Sequence, residues 1–303
     1  MSITLRTRVY IDGYNFYYGC LKRTSFKWLD PVELFERQIL PSVLFERNGK
    51  VAFKLDQLAI KYFTAPILKN FASSSDSVPS QKHYHAALAA HRSGRLEIIL
   101  GYHDAKQARA RRAIPSVPPL QSELIDIWKL EEKQSDVSLA LHAYSDAIRG
   151  EIDHVVIVTN DTDLVPALKL IRRDTSVAIG LVIPTRAHQR AANTDLISIS
   201  DWTRTHITES ELAISQLPRV VPGGRTASHK PVSWYLRPEL VGPAINEAIR
   251  VRGGRGPAMK WLGSPCDWLG GRVPIEMLDT DDQAAELMQY MAKWALDHGQ
   301  ASR

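Results

Sequence analysis

Unbroken apolar runs alternate with helical stripes along the first two thirds of the chain. Leu5 to Ile11 reads as a strand closed by Gly13, and Pro31 to Leu44 has helical spacing behind Asp30, which suits an N-cap. Asp56 to Phe63 alternates and then meets Ala65-Pro66, as a strand leaving a sheet would. Ser80 opens a helix that runs to about His91 with Gly94 as its stop, and Arg95 to Gly101 gives a further strand. From Asp136 to Ile148, the apolar positions Val137, Leu139, Ala140, Leu141, Ala143, Tyr144, Ala147 and Ile148 form a broad helical stripe ended by Gly150. Val155 to Thr159 and Val177 to Ile183 are β-branched runs separated by a helix over Leu164 to Ile171. Runs apolar on both faces, alternating with helices, predict an α/β fold with a parallel sheet flanked by helices.

The pattern changes at Leu217. "LPRVVPGGRTASHKP" is punctuated by Pro and Gly, as a linker or a tail wrapping the sheet would be. Pro238 to Ile249, Pro257 to Leu262 and Thr280 to His298 then read as the helices of a small all-α module, with Trp261, Trp268, Trp294, Leu278 and Met288 as its expected core. The expected division is therefore 1–217, a linker at 218–237, and the module at 238–303.

Composition narrows the classes. The chain has 303 residues, 44% hydrophobic and 23% charged, which is ordinary for a globular protein. No apolar run approaches the roughly 18 residues that span a bilayer, so a cytoplasmic protein without membrane contact is expected. Cys20 and Cys266 are the two cysteines, too few for a thiolate zinc site. His83 and His85 are expected to be surface or packing residues. The net charge of +5 permits nucleic-acid binding, for which a local patch is the informative sign. One candidate is "DAKQARARRAIPSVPPL", with Lys106, Arg109, Arg111 and Arg112, read either as a solvated loop or as an arm contacting phosphate.

Carboxylates carry the candidate chemistry. In an open parallel sheet, ligands bind outside the carboxyl ends of the strands where the strand order reverses. Asp12 closes "RVYIDGYN", Asp161 and Asp163 close "VVIVTNDTD", and Asp136 opens the helix that leads into that strand. Singly, each suits a helix N-cap. Together they would crowd like charges that at neutral pH demand a proton or a cation. Oxygen ligands without Cys or His select Mg²⁺ or Mn²⁺, which can activate water against a phosphodiester. An aspartyl-phosphate phosphatase fits less well, because its DxD follows the first strand directly. Tyr14, Phe16, Tyr17 and Tyr18 beside Asp12 are either base-stacking platforms or core.

"VYIDGYNFYYG", "LEEKQSDVSLALHAYSDAIRG" and "HVVIVTNDTDLVPALKLI", in this order, resemble the NYN domain of the LabA-like group of PIN-like nucleases, from about Arg6 to Pro184. The resemblance implies a PIN-like sheet and Mg²⁺- or Mn²⁺-dependent nuclease activity, usually an endoribonuclease acting on single-stranded RNA. It implies Asp12, Asp136, Asp161 and Asp163 as metal ligands and catalytic residues, with Asn15 holding the first loop. Lys133, Arg109, Arg111, Arg112 and Thr159 are the expected substrate contacts. Relatives carry Gly where this chain has Asn160. "MKWLGSPCDWLGGRVPIEMLDTDDQAAELMQYMAKWA" resembles the C-terminal toxin-binding domain of MbcA/ParS/Xre antitoxins, which implies a protein partner or self-association. A non-catalytic RNA-binding or assembly protein on an NYN scaffold is the alternative function.

Overall fold

The computed structural model describes residues 3–46, 51–187, 189–223 and 227–298. The middle of the expected linker, 224–226, and the end of the expected module, 299–303, lie outside the described residues.

In chain order the elements are β1 (Ile3–Asp12), α1 (Gly13–Phe16), α2 (Pro31–Glu33), β2 (Val51–Thr64), α3 (Ser77–His91), β3 (Leu96–Leu100), β4 (Tyr102–Arg111), β5 (Leu124–Lys133), α4 (Ser135–Ile148) and β6 (His154–Val158). There follow α5 (Val165–Asp174), β7 (Ala178–Val182), α6 (Thr194–Ile199), β8 (Trp202–Arg204), α7 (Glu209–Ile214), β9 (Val220–Val221), β10 (Ser228–His229), α8 (Pro238–Arg252), α9 (Arg255–Leu262) and α10 (Asp281–His298).

Six strands form one sheet in the order β3-β2-β1-β6-β7-β8. Every neighbouring pair runs parallel. Successive crossovers move outward in one direction from β1 and in the other from β6, so the order reverses between these two strands. Their carboxyl ends therefore flank a crevice. Val9 and Ile11 enter the core under α3, while Tyr10 enters the opposite core under α4, α5 and α6, as a period of two requires.

The stretch expected as a loop at 104–120 is instead β4 and its turn. It pairs antiparallel with β5 along ten residues, from Tyr102 opposite Lys133 to Arg111 opposite Leu124, and forms a ribbon outside the main sheet. Arg and Ala alternate through "ARAR", which places the arginines on one face, and this weak alternation was masked by the lack of β-branched residues. The helix expected from Ser80 begins three residues earlier, at Ser77.

The C-terminal helices have their own core, which includes Val241, Ala248, Leu262, Leu278, Leu287 and Met291. Trp268 is a correction, since 84% of it is exposed. The connecting chain wraps rather than dangles. Trp28 Nε1 donates to the Pro218 carbonyl at 2.8 Å, Lys230 Nζ donates to the Ser25 carbonyl at 3.0 Å, and Arg219 Nη1 donates to the Ile275 carbonyl at 2.8 Å.

A buried ionic cluster locks β1, β2 and α4 together beneath the crevice. Asp146 Oδ2 accepts from Arg8 Nη1 at 2.7 Å, Tyr10 Oη at 2.6 Å and Lys61 Nζ at 2.6 Å. Burial pushes the Asp146 carboxyl up, but Lys61, Tyr10 and Arg8 outweigh it and hold the group below its ordinary value. Removing one partner of such a cluster leaves the others charged and dry, at a cost of about 3–5 kcal/mol. Asp146→Asn is expected to lose about that much stability at pH 7 in urea unfolding. Because the folded carboxyl titrates below the unfolded one, the deficit is full above the ordinary Asp value of about 4 and fades as pH falls through the depressed value. A loss under about 1 kcal/mol at neutral pH would contradict the role of the cluster.

Candidate active site

Asp12 sits at the end of β1, 4% exposed, and caps α1. Its Oδ1 accepts from the Asn15 backbone N at 3.0 Å, and its Oδ2 accepts from Asn15 Nδ2 at 2.6 Å and Thr159 Oγ1 at 2.9 Å. The two strand ends are thus tied through one carboxylate. Gly13 permits the sharp exit from β1, because a Cβ there would lie 2.5 Å from the Phe63 carbonyl oxygen. Burial raises the Asp12 carboxyl, the Asn15 and Thr159 hydrogen bonds oppose the rise, and the Asp161 charge adds to it.

Asp161 follows β6 and caps the turn Thr162–Leu164. Its Oδ1 accepts from the Asp163 backbone N at 3.0 Å, and its own N–H donates to Thr159 Oγ1 at 3.1 Å. Asn160 staples the next loop to this turn, with Nδ2 donating to the Ala191 carbonyl at 3.1 Å and Oδ1 accepting from the Asn193 N–H at 2.9 Å. The Asn that replaces a glycine here therefore has a structural task of its own.

Asp136 lies in the first turn of α4. The chain reverses into that helix through Gln134, a non-glycine residue at φ +78°. Holding that left-handed conformation costs on the order of 1–3 kcal/mol. It places Glu132 and Asp136 on either side of one turn. Partial burial, and then the charges of Asp12, Asp161, Glu132 and Asp163, push the Asp136 carboxyl up to about 6, although the side chain keeps contact with solvent. All four aspartates thus share one electrostatic neighbourhood, and Glu132 joins them.

Glu132 was missed by the sequence reading, which took Lys133 from the same "EEKQSD" stretch. The β4–β5 register pairs Glu132 with His103, on the face of the ribbon opposite to Lys133. His103 is fixed on both sides: Nδ1–H donates to the Pro66 carbonyl at 2.9 Å, and Nε2 accepts from Tyr14 Oη at 2.7 Å. Burial raises the Glu132 carboxyl, the neighbouring Ser135 hydroxyl and His103 offset part of the rise, and the Asp12 charge adds to it. Glu132 Oε1 and Ser135 Oγ are buried, and neither reaches hydrogen-bonding geometry.

An oxygen-only set with an unsatisfied buried carboxylate oxygen fits a hard divalent cation. Among the described residues, no three His, Cys, Asp or Glu side chains are drawn to the spacing of a closed metal site. A cation would have to pull these carboxylates together.

Several expected substrate contacts have partners within the protein. Thr159 is fully buried and spends its hydroxyl on Asp12, so it positions that carboxylate and has no surface to offer a substrate. Lys133 Nζ pairs with Glu131 at 3.0 Å. Arg112 pairs with Glu123 at 2.7 Å, Arg109 approaches Asp126 at 3.7 Å, and Arg111 Nη1 donates to the Ser122 carbonyl at 2.7 Å. Exposed pairs of this kind are worth about 0–1 kcal/mol, so pairing alone does not withdraw an arginine from phosphate. From Tyr102 to Lys133 the six cations meet five acids, for a net of +1. Of the aromatic residues beside Asp12, Phe16 is core, whereas Tyr17 and Tyr18 are 36% and 46% exposed.

Two known families match parts of the chain. The NYN domain family matches residues 61–205, and the antitoxin Xre/MbcA/ParS C-terminal toxin-binding domain matches residues 248–299. The NYN match begins after Asp12, whose place at the site rests on the geometry above. 6-Hydroxy-3-succinoylpyridine 3-monooxygenase HspA of Pseudomonas putida is 50% identical over 299 residues, covering 97% of this chain and 96% of that protein. A crystal structure of a protein of unknown function from Vibrio parahaemolyticus is 17% identical, covers 68% of this chain and 94% of its own, and aligns with a TM-score of 0.37. That likeness is too slight to build on.

Crowded carboxylates make a further expectation. Since the folded Asp136 carboxyl titrates above an unfolded one, its ionisation weakens the ion-free fold, with the full penalty above about pH 6 and none below the ordinary Asp value. Asp136→Asn is expected to raise Tm in EDTA at pH 7.5 and to leave it unchanged near pH 3.5. A lower Tm at both pH values would show that Asp136 serves the fold as a cap.

Proposed function

The chain belongs to one family with the Pseudomonas putida protein and carries an NYN domain over residues 61–205, and on that premise we propose that it is a metal-dependent nuclease that hydrolyses single-stranded RNA endonucleolytically. The observation that carries this reading is the placement of Asp12 and Asp161 at the adjoining ends of β1 and β6, where the strand order reverses, with Asp12 and Asp161 tied through the Thr159 hydroxyl and Asp136, Asp163 and Glu132 close enough for charge to act between them.

Asp12, Asp136, Asp161 and Asp163 are the residues that would hold Mg²⁺ or Mn²⁺. Such an ion, when bound, polarises a phosphoryl oxygen and lowers the pKa of an attacking water. The chain's own contributions are positioning and proton transfer. Asn15 and Thr159 fix the rotamer of Asp12 through three hydrogen bonds, so this carboxylate is the anchored member of the set toward which the others would be drawn. The Asp161 turn is tied to the same hydroxyl and moves with Asp12. Glu132, raised by burial and with one oxygen unpartnered, is suited to take a proton from water or return one to a departing 3′-oxygen.

A second reading takes its support from the Pseudomonas relative, which is named for monooxygenation of 6-hydroxy-3-succinoylpyridine. That chemistry inserts one atom of O₂ and needs two electrons from a reductant. The carboxylate donor set favours the hydrolytic reading, because it is the kind that hard cations such as Mg²⁺ prefer.

The distinguishing experiment runs both assays on one preparation. Labelled single-stranded RNA and DNA are incubated with Mn²⁺ or Mg²⁺, and O₂ uptake is followed with the pyridine and a reduced nicotinamide. RNA cleavage that EDTA abolishes is expected, with Asp12→Asn and Asp161→Asn slower by roughly 100-fold or more, the scale of losing one charge-stabilising group. Cleavage equal in both variants and in EDTA would remove the metal-site assignment. Stoichiometric O₂ uptake without RNA cleavage would establish the second reading instead.

A further inference from the structure

Beyond the ribbon, whose net charge is +1, two further segments carry cations without acids. Between Gly13 and Leu29 there is no acidic residue, but there are Lys22, Arg23 and Lys27 together with Tyr14, Tyr17 and Tyr18. The loop 184–193 after β7 carries Arg186 and Arg190 and no acid.

The fold presses these two segments together. Gly19 abuts the second one so closely that a Cβ would stand 1.7 Å from the Pro184 carbonyl oxygen. Both Arg186 and Arg190 act on the Cys20 thiol, which places their charge beside the helical turn that follows Asp12. Asn160, next to Asp161, holds the Ala191 carbonyl, so Arg190 stands one residue from the active-site turn. Arg186 is engaged by Glu209 at 2.8 Å, whereas Arg190 is exposed and has no ion pair among the described residues. Lys22 lies 4.3 Å from the centroid of the exposed Tyr18 ring. This rim is cationic and aromatic, and its second segment is tied through the Ala191 carbonyl to Asn160, the residue before Asp161.

On the other side of the crevice, the ribbon face that bears Glu132 also bears Trp128. The two are four residues apart, about 14 Å along the strand. Trp128 is 62% exposed and rests edge-on against Phe71, with centroids 6.1 Å apart. A large ring left in water while held upright by another ring is a stacking surface without a partner.

We propose that a single-stranded RNA crosses the carboxylate site between two grips of different chemistry, its backbone on Arg190 and Lys22 and a base on Trp128. This proposal rests on the nuclease reading and names the path of its substrate. A stacked base gives affinity with little sequence choice, and a cationic rim gives affinity that salt screens.

Anisotropy of a labelled single-stranded RNA on the full-length protein in EDTA, from 50 to 300 mM salt, separates the grips. Arg190→Gln is expected to weaken binding and to flatten the slope of log K against log salt by about 0.7, the effect of one phosphate contact on a single strand. Arg190→Lys keeps the slope. Trp128→Ala is expected to weaken binding about fivefold or more at every salt concentration with the slope unchanged, and Trp128→Phe to restore most of it. An unchanged slope in Arg190→Gln, or unchanged affinity in Trp128→Ala, overturns the path while intact RNA cleavage by the wild type leaves the nuclease reading standing. A wild-type protein that neither binds nor cleaves RNA overturns both.

Discussion

Repulsion among carboxylates at the carboxyl ends of β1 and β6 is the constraint around which the crevice is built. Folding brings Asp12, Asp161, Asp163, Asp136 and Glu132 into one neighbourhood, and partial burial together with these charges pushes the Asp136 carboxyl up to about 6. A sequence under no demand but stability would replace one of these acids with an amide. The surrounding structure instead spends rigid groups to keep them in place. Thr159 is buried in order to hold Asp12, Gln134 takes a left-handed conformation to turn β5 into α4, and Asn160 ties loop 184–193 to the Asp161 turn.

The support beneath is equally specific. Arg8, Lys61, Tyr10 and Asp146 form a buried charged cluster across β1, β2 and α4, the same three elements that carry Asp12, the neighbouring strand end and Asp136. A crevice whose walls repel one another needs a foundation that does not yield. An ionic cluster that is costly to break from one side supplies it.

Much of this was legible in the residues. β-branched runs at Val155 to Val158 and Ala178 to Val182 pointed to the central strands, and acids placed just beyond strand ends pointed to the candidate site. The alternation of strand and helix is strong there because both faces are buried. The ribbon was not legible: "KQARARR" has little β propensity, and its pairing with "IDIWKLEEK" is a contact between segments separated by a proline-rich turn. Losing the ribbon also lost Glu132, because only the register shows which of the two adjacent glutamates faces the aspartates. For the same reason the arginines seemed freer than they are, since their partners lie on the opposing strand. Trp268 failed differently. Its neighbours Gly270 and Gly271 turn the chain at positive φ, and the ring is left outside the helical core.

Crystals of the full-length protein soaked in Mn²⁺ and measured at the manganese absorption edge test the central claim most directly. An anomalous peak bounded by the carboxylates of Asp12, Asp136, Asp161 and Asp163, with Glu132 adjoining, is the expected result. Full manganese occupancy elsewhere in the lattice, with these carboxylates left bare and apart, would contradict it.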